Sequence, residues 1–116
     1  MKLMRSSGLI LAFSLLLSGC ATGLSQQGGQ GAGASIRKGQ ESLARERYDR
    51  ALSHFNDAVK ADPSSAEAYY GRAVVLTAMG DFNRSLPDLS QAVRLNPRDA
   101  QAYAARGSIY LHQEQY

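Results

Sequence analysis

The feature that most constrains this chain is a spacing. Pro63 and Pro97 stand 34 residues apart, and their neighbours keep step: Asp62 with Asn96, Ala58-Val59 with Ala92-Val93, Ala68-Tyr69 with Ala102-Tyr103, and Arg72 with Arg106. Self-similarity at a fixed period is the mark of stacked supersecondary units, none of which can bury its apolar face alone. Between Ala66 and Pro97 the small residues Ala73, Ser85 and Ala92 fall where two helices can approach closely. Tyr69, Leu76, Leu86, Leu89 and Val93 fill the space around them at helical spacing. Gly80-Asp81 divides the stretch, since Gly accepts a positive φ and Asp can cap the next helix. Asn96-Pro97 ends it, because Pro disfavours helical geometry in the preceding residue. Each unit is therefore read as a helical hairpin. Pro87 fits that reading if the second helix begins at about Asn83 to Ser85.

Period and residues together resemble the tetratricopeptide repeat (TPR) family. The middle unit fills the pattern with Tyr69, Arg72-Ala73, Leu76, Ser85, Leu89 and Pro97. Upstream, Gly39, Ala51, Phe55, Ala58 and Pro63 match, and downstream Tyr103, Arg106-Gly107 and Tyr110 do. Arg72 and Arg106 stand where the pattern asks for an apolar residue, and the expectation is that the arginine's aliphatic stem does the packing. The resemblance implies an all-α helical-hairpin solenoid of two hairpins and one further helix. Its units would be residues 35–65, 66–99 and an incomplete 100–116.

The amino terminus carries a different signal. Lys2 and Arg5 precede an apolar run from Gly8 to Leu17, too short for the roughly 20 residues that span a bilayer and shaped like the core of a secretory signal. The run ends Leu17-Ser18-Gly19-Cys20, which resembles the bacterial lipobox. That resemblance implies a signal peptide at residues 1–19 and a lipid on Cys20, with no other cofactor. Two or three acyl chains anchor stably, at roughly 0.8 kcal/mol per buried CH₂. Ala21 follows the cysteine in place of the Asp that tends to retain such lipoproteins in the inner membrane, so the resemblance implies an outer-membrane lipoprotein facing the periplasm. Residues 20–34 are rich in Gly, Gln, Ser and Ala without a charge, and are expected to form a flexible tether. Gly29, Gly31 and Gly33 lack the strand and the Lys-Ser/Thr of a phosphate loop.

Composition excludes more than it assigns. The net charge of +3 includes Lys2 and Arg5, so it falls to +1 once the leader is set aside, and the arginines are spread along helices. No electrostatic footprint for nucleic acid results. One cysteine among 116 residues rules out an internal disulfide. His54 and His112 have no second ligand at metal spacing, and Asp57, Asp62, Asp81, Asp88 and Asp99 are assigned to turns and helix ends as caps. No serine has a nucleophile elbow. The repeats are thus not read as an enzyme.

Helix boundaries follow from these signals. Ser35 is expected to cap a first helix running to about Glu46, with a second from about Asp49 to Ala61 presenting Ala51, Leu52, Phe55, Ala58 and Val59 inward. The charges Arg45, Glu46, Arg47, Asp49 and Arg50 form a solvated loop. The last helix is expected from Ala100 to about Glu114. Tyr103, Ala104 and Gly107 would pack it on the preceding hairpin, leaving Ile109, Tyr110 and Leu111 open to fraying or self-association. The sequence is also read as a piece of a longer protein, because such stacks normally carry three or more repeats and a cap.

Function is then expected from a surface. In the TPR family first helices line a concave groove for a partner segment. The resemblance places Ile36, Gln40 and Leu43 there from the first unit, Glu67, Tyr70, Val74 and Thr77 from the second, and Gln101, Ala104, Ser108 and His112 from the third. The Lys and Asn pairs of the chaperone-binding carboxylate clamp are absent from these places. The reading is a lipid-anchored adaptor that binds envelope proteins or peptides, in pilus, secretion or cell-wall assembly. Its alternative is an appendage of a periplasmic enzyme, such as a protease, whose catalytic domain lies beyond residue 116.

Overall fold

The computed structural model describes residues 31–114, and the leader, Cys20 and residues 20–30 of the expected tether lie outside them. Five helices follow one another: α1 over 31–44, α2 Tyr48–Ala61, α3 Ala66–Ala78, α4 Phe82–Leu95 and α5 Ala100–Glu114. Neighbours in sequence are neighbours in space. α3 packs on α2 and α4, and α4 on α5.

The 34-residue period reaches down to single hydrogen bonds. Asp62 Oδ1 accepts from Ser64 N, and Asn96 Oδ1 accepts from Arg98 N. Ser65 caps α3 by accepting from Ala68 N, as Asp99 caps α5 by accepting from Gln101 N and Ala102 N. Asp81 caps α4 through Arg84 N, directly after Gly80 at φ +80°, a left-handed conformation that Gly adopts without the cost of a Cβ.

Packing obeys the same register. Ala51 and Ser85, Ala58 and Ala92, Ala68 and Ala102, and Val75 and Ile109 are pairs one period apart, and all eight are buried. The largest fully buried side chain, Phe55 on α2, lies between two glycines. A Cβ on Gly39 of α1 would fall 2.7 Å from Phe55 Cε2, and one on Gly71 of α3 would fall 2.1 Å from Phe55 Cε1. One period on, the smaller Leu89 takes the place of Phe55, and Ala73 and Ala105 replace the two glycines around it. Volume gained on one helix is removed from its neighbours, as a close-packed interior demands.

Two polar groups are buried with the apolar ones. The Ser85 hydroxyl donates to the Ala73 carbonyl at 2.9 Å, and Thr77 Oγ1 lies 2.8 Å from that oxygen and 2.7 Å from Ser85 Oγ. Asp88 is the other. Its two oxygens accept from Arg72 Nε and Nη2, each at 2.7 Å, while Arg72 Nη1 donates to Asn56 on α2. The guanidinium also sits 5.6 Å from the Tyr69 ring centre, and Arg106 repeats this over Tyr103 at 5.5 Å. Hydrogen bonding to Asp88 raises the Arg72 pKa above its ordinary value, against the opposing effect of burial. A raised pKa means that this stabilisation is fully present below the unfolded-state value and is lost only as pH rises through the folded one.

Several expectations are corrected. α1 is already helical at residue 31, so Ser35 lies inside a helix instead of capping it. Residues 31–34 belong to the packed unit: Ala32 is buried, and Gly31 faces Ala61. α4 begins at Phe82, which puts Pro87 inside the helix. It is tolerated because both Pro87 and Asn83, the residue whose carbonyl loses its helical donor, are exposed to water. Asp57 and Asp88 lie inside α2 and α4 and cap neither end, and Arg72 is more than an aliphatic stem. In α5 the packed stripe is Ala102, Ala105 and Ile109, whereas Tyr103, Ala104 and Gly107 are exposed. Ile109, only 3% exposed, packs with Ala73 and Leu89, while Tyr110 and Leu111 remain open at 50% and 63%.

Gly71→Ala should lower stability by roughly 1–3 kcal/mol through overpacking. Adding Phe55→Leu should restore part of the loss, because it reproduces the pairing seen at Leu89; denaturant midpoints of the chain and its variants measure both. Asp88→Ala should cost about 1.5–3 kcal/mol, the range for hydrogen bonds to a charged group. Joint replacement of Arg72 by Met and Asp88 by Ala should cost less than the sum of the two single changes in a thermodynamic cycle, since no charge is then left unpaired.

Candidate functional site

α1, α3 and α5 are the first helices of successive hairpins, and together they wall a depression of about 400 Å³. Gln40 and Leu43 come from α1, Glu67, Tyr70 and Val74 from α3, and Gln101 from α5. The turn between α4 and α5 adds Asn96 and Asp99, and the Phe55 ring and Gly71 close the floor. The placement follows from helical phase. Ala68, Gly71 and Val75 turn one stripe of α3 towards α2, so Glu67, Tyr70 and Val74 fall on the adjacent stripe.

The floor is apolar and the rim polar. Tyr70 and Val74 are half-buried, and Tyr70 packs against two separate core clusters, which fixes its ring. At the rim Gln40 Nε2 donates to Glu67 Oε1 at 3.5 Å, linking α1 to α3. Asp99 uses Oδ1 to cap α5. Among the described residues no Lys or Arg lines the depression. Such a surface can take an apolar side chain on the floor and hydrogen-bond an extended backbone at the rim.

Not every residue assigned to the groove from sequence lies there. Ile36 is buried in the core beside Ala51 and Phe55, because α1 turns that stripe inward. Thr77, Ser108 and His112 line a separate hollow of about 300 Å³ with Phe82, Ala105 and Ile109. There the His112 ring meets Phe82 at 5.0 Å between centroids. Ala104 is exposed and lines neither. Asn96 and Asp99 join the groove although their turn and cap roles already explained them. Only the return of the α4–α5 turn to the concave side could have revealed it.

Among the described residues no group of three or more His, Cys, Asp or Glu is placed to hold a metal ion. No described helix is long and apolar enough to cross a membrane.

Comparison with known proteins bears on the fold and its use. No protein of curated function matches the sequence. The first TPR of Spaghetti (RPAP3), in a structure bound to the HSP90 peptide SRMEEVD, is 26% identical at a TM-score of 0.71, over 74% of this chain and 68% of that one. The Arabidopsis OM64 TPR domain is 19% identical at a TM-score of 0.72, over 77% and 74% of the two chains. MamA is 20% identical at a TM-score of 0.71 over 73% of this chain, which spans 50% of the MamA chain. The sequence profile of the tetratricopeptide repeat matches residues 42–109, more than half of the chain, and the chain belongs to that family.

Proposed function

We propose that this chain is a lipid-anchored TPR adaptor of the bacterial cell envelope, which holds an extended segment of another envelope protein in the groove of α1, α3 and α5. The observation that carries the binding role is the continuous depression that three first helices share, with Tyr70 and Val74 on its floor and amides at its rim. A TPR domain holding a peptide is the situation named for the first TPR of Spaghetti, and the mode is carried over without the ligand. An acidic peptide such as SRMEEVD finds no cation among the residues lining this groove.

The membrane role rests on Leu17-Ser18-Gly19-Cys20 after a short apolar run, with acylation of Cys20 and exposure to the periplasm from the outer membrane. The glycine-rich residues that follow the cysteine would set the groove off from the bilayer on a tether whose reach is on the order of 20 Å. Partner segments at that distance gain from confinement to one surface, because tethering raises their effective concentration.

Intact-mass measurement of protein extracted from membranes should show loss of residues 1–19 and added lipid, and Cys20→Ser should abolish both. Recovery of unprocessed, soluble wild-type protein with a free thiol would remove the anchor from this reading. A photo-crosslinking amino acid in place of Val74 should yield a discrete adduct in intact cells, whereas the same group in place of Arg94 should not. Equal labelling from both places would remove the groove.

A further inference from the structure

We infer that the groove selects a cationic segment: an extended peptide that lays an apolar side chain on Tyr70 and Val74 and brings a lysine or arginine to Glu67 and Asp99. The inference rests on the groove being the binding surface and adds the class of its occupant. Every full charge lining the groove is negative. Glu67 is exposed in the first turn of α3, and among the described residues its side chain bonds the neutral Gln40 amide at 3.5 Å and pairs with no cationic side chain. Asp99 commits Oδ1 to the backbone amides of Gln101 and Ala102, and its other oxygen takes no part in that cap. Among the described residues neither carboxylate forms an ion pair, and the two pairs present, Arg72 with Asp88 and Arg84 with Asp81, use other acids.

The consequence is an inverted preference relative to a groove that takes SRMEEVD. An incoming carboxylate would meet two like charges over a low-dielectric floor, and an incoming ammonium or guanidinium would meet two opposite ones. Uncharged amides at Gln40 and Gln101 can serve the peptide backbone in either case, so charge decides between segments of equal shape.

The full chain in detergent micelles, panned against a displayed library of random heptapeptides, tests this. Retained peptides should be enriched in Lys and Arg over Asp and Glu, by about 1.4- to 5-fold for each carboxylate, the size of an exposed ion pair. Glu67→Gln together with Asp99→Asn, which keeps a capping oxygen, should remove the enrichment with helix content unchanged. Glu67→Lys should shift it towards acidic peptides. Peptides that are retained without a cationic bias, or with one that survives the double variant, but are lost with Val74→Gln or Gln101→Ala, would overturn this inference and leave the groove. Absence of retained peptides, or retention indifferent to Val74→Gln and Gln101→Ala, would overturn both.

Discussion

The Phe55 ring lies where a Cβ on either of two neighbouring helices would have to be, and the rest of the stack is arranged around that fact. Gly39 and Gly71 leave the ring room from α1 and α3, and each is a poor helix former, at about 1 kcal/mol relative to Ala. That cost is offset by burial of a large aromatic ring. The close approach also sets the separation of α1 from α3, and with it the groove between them. The edge of the same ring forms part of the groove floor, so core and site share one side chain.

Polar order in the second hairpin comes from Arg72. It joins three helices, donating from α3 to Asn56 on α2 and to Asp88 on α4, while its planar head lies beside Tyr69. A lysine in its place could not reproduce the paired bonds to one carboxylate. Apolar contacts would let α4 slide along α3; a bidentate pair fixed at 2.7 Å admits one register. The Ser85, Thr77 and Ala73 oxygens add a second tie about one turn nearer the α3–α4 turn.

The period made most of the fold legible. Caps at Asp81 and Asp99 and the buried places of Ala73, Ser85 and Ala92 follow from residues alone, whereas the Ser65 cap appears only in the structure. Where sequence and structure differ, packing overrides a local preference. Gly-Ala-Gly-Ala at 31–34 looks like tether by composition, yet Ala32 is buried and those residues extend α1. Pro87 suggests a later start for α4, but the Asp81 cap together with the burial of Ser85 and the packing of Phe82 and Leu86 keeps the turn before it helical. Asp88 was readable in retrospect. It lies three residues after Ser85 and four before Ala92, on the buried stripe of α4, and a carboxylate there requires a partner. The stripe expected to pack in α5, Tyr103, Ala104 and Gly107, lies nearly opposite the one that does, Ala102, Ala105 and Ile109. The large apolar residues Tyr103, Tyr110 and Leu111 outnumber Ile109 in the sequence, while the small alanines fit the close approach to α4.

The repeats also separate packing from binding without any second sequence. Several positions one period apart that face a neighbouring helix are alike, such as Ala58 and Ala92, Ala68 and Ala102, and Val75 and Ile109. Where one changes, as Phe55 to Leu89, its neighbours change with it from Gly39 and Gly71 to Ala73 and Ala105. The groove positions are unlike: Glu67 has Gln101 one period on, while Tyr70 and Val74 have Ala104 and Ser108, which lie outside the depression. Packing constrains the first set because each unit must fit the next by the same geometry. The second set is free of that demand, so its residues differ unit by unit. The depression is consequently uneven, with Glu67, Tyr70 and Val74 contributed by α3, Gln101 by α5, and the acidic Asp99 by the turn before α5. A segment crossing it meets different chemistry at each helix, which gives an otherwise repetitive scaffold a direction.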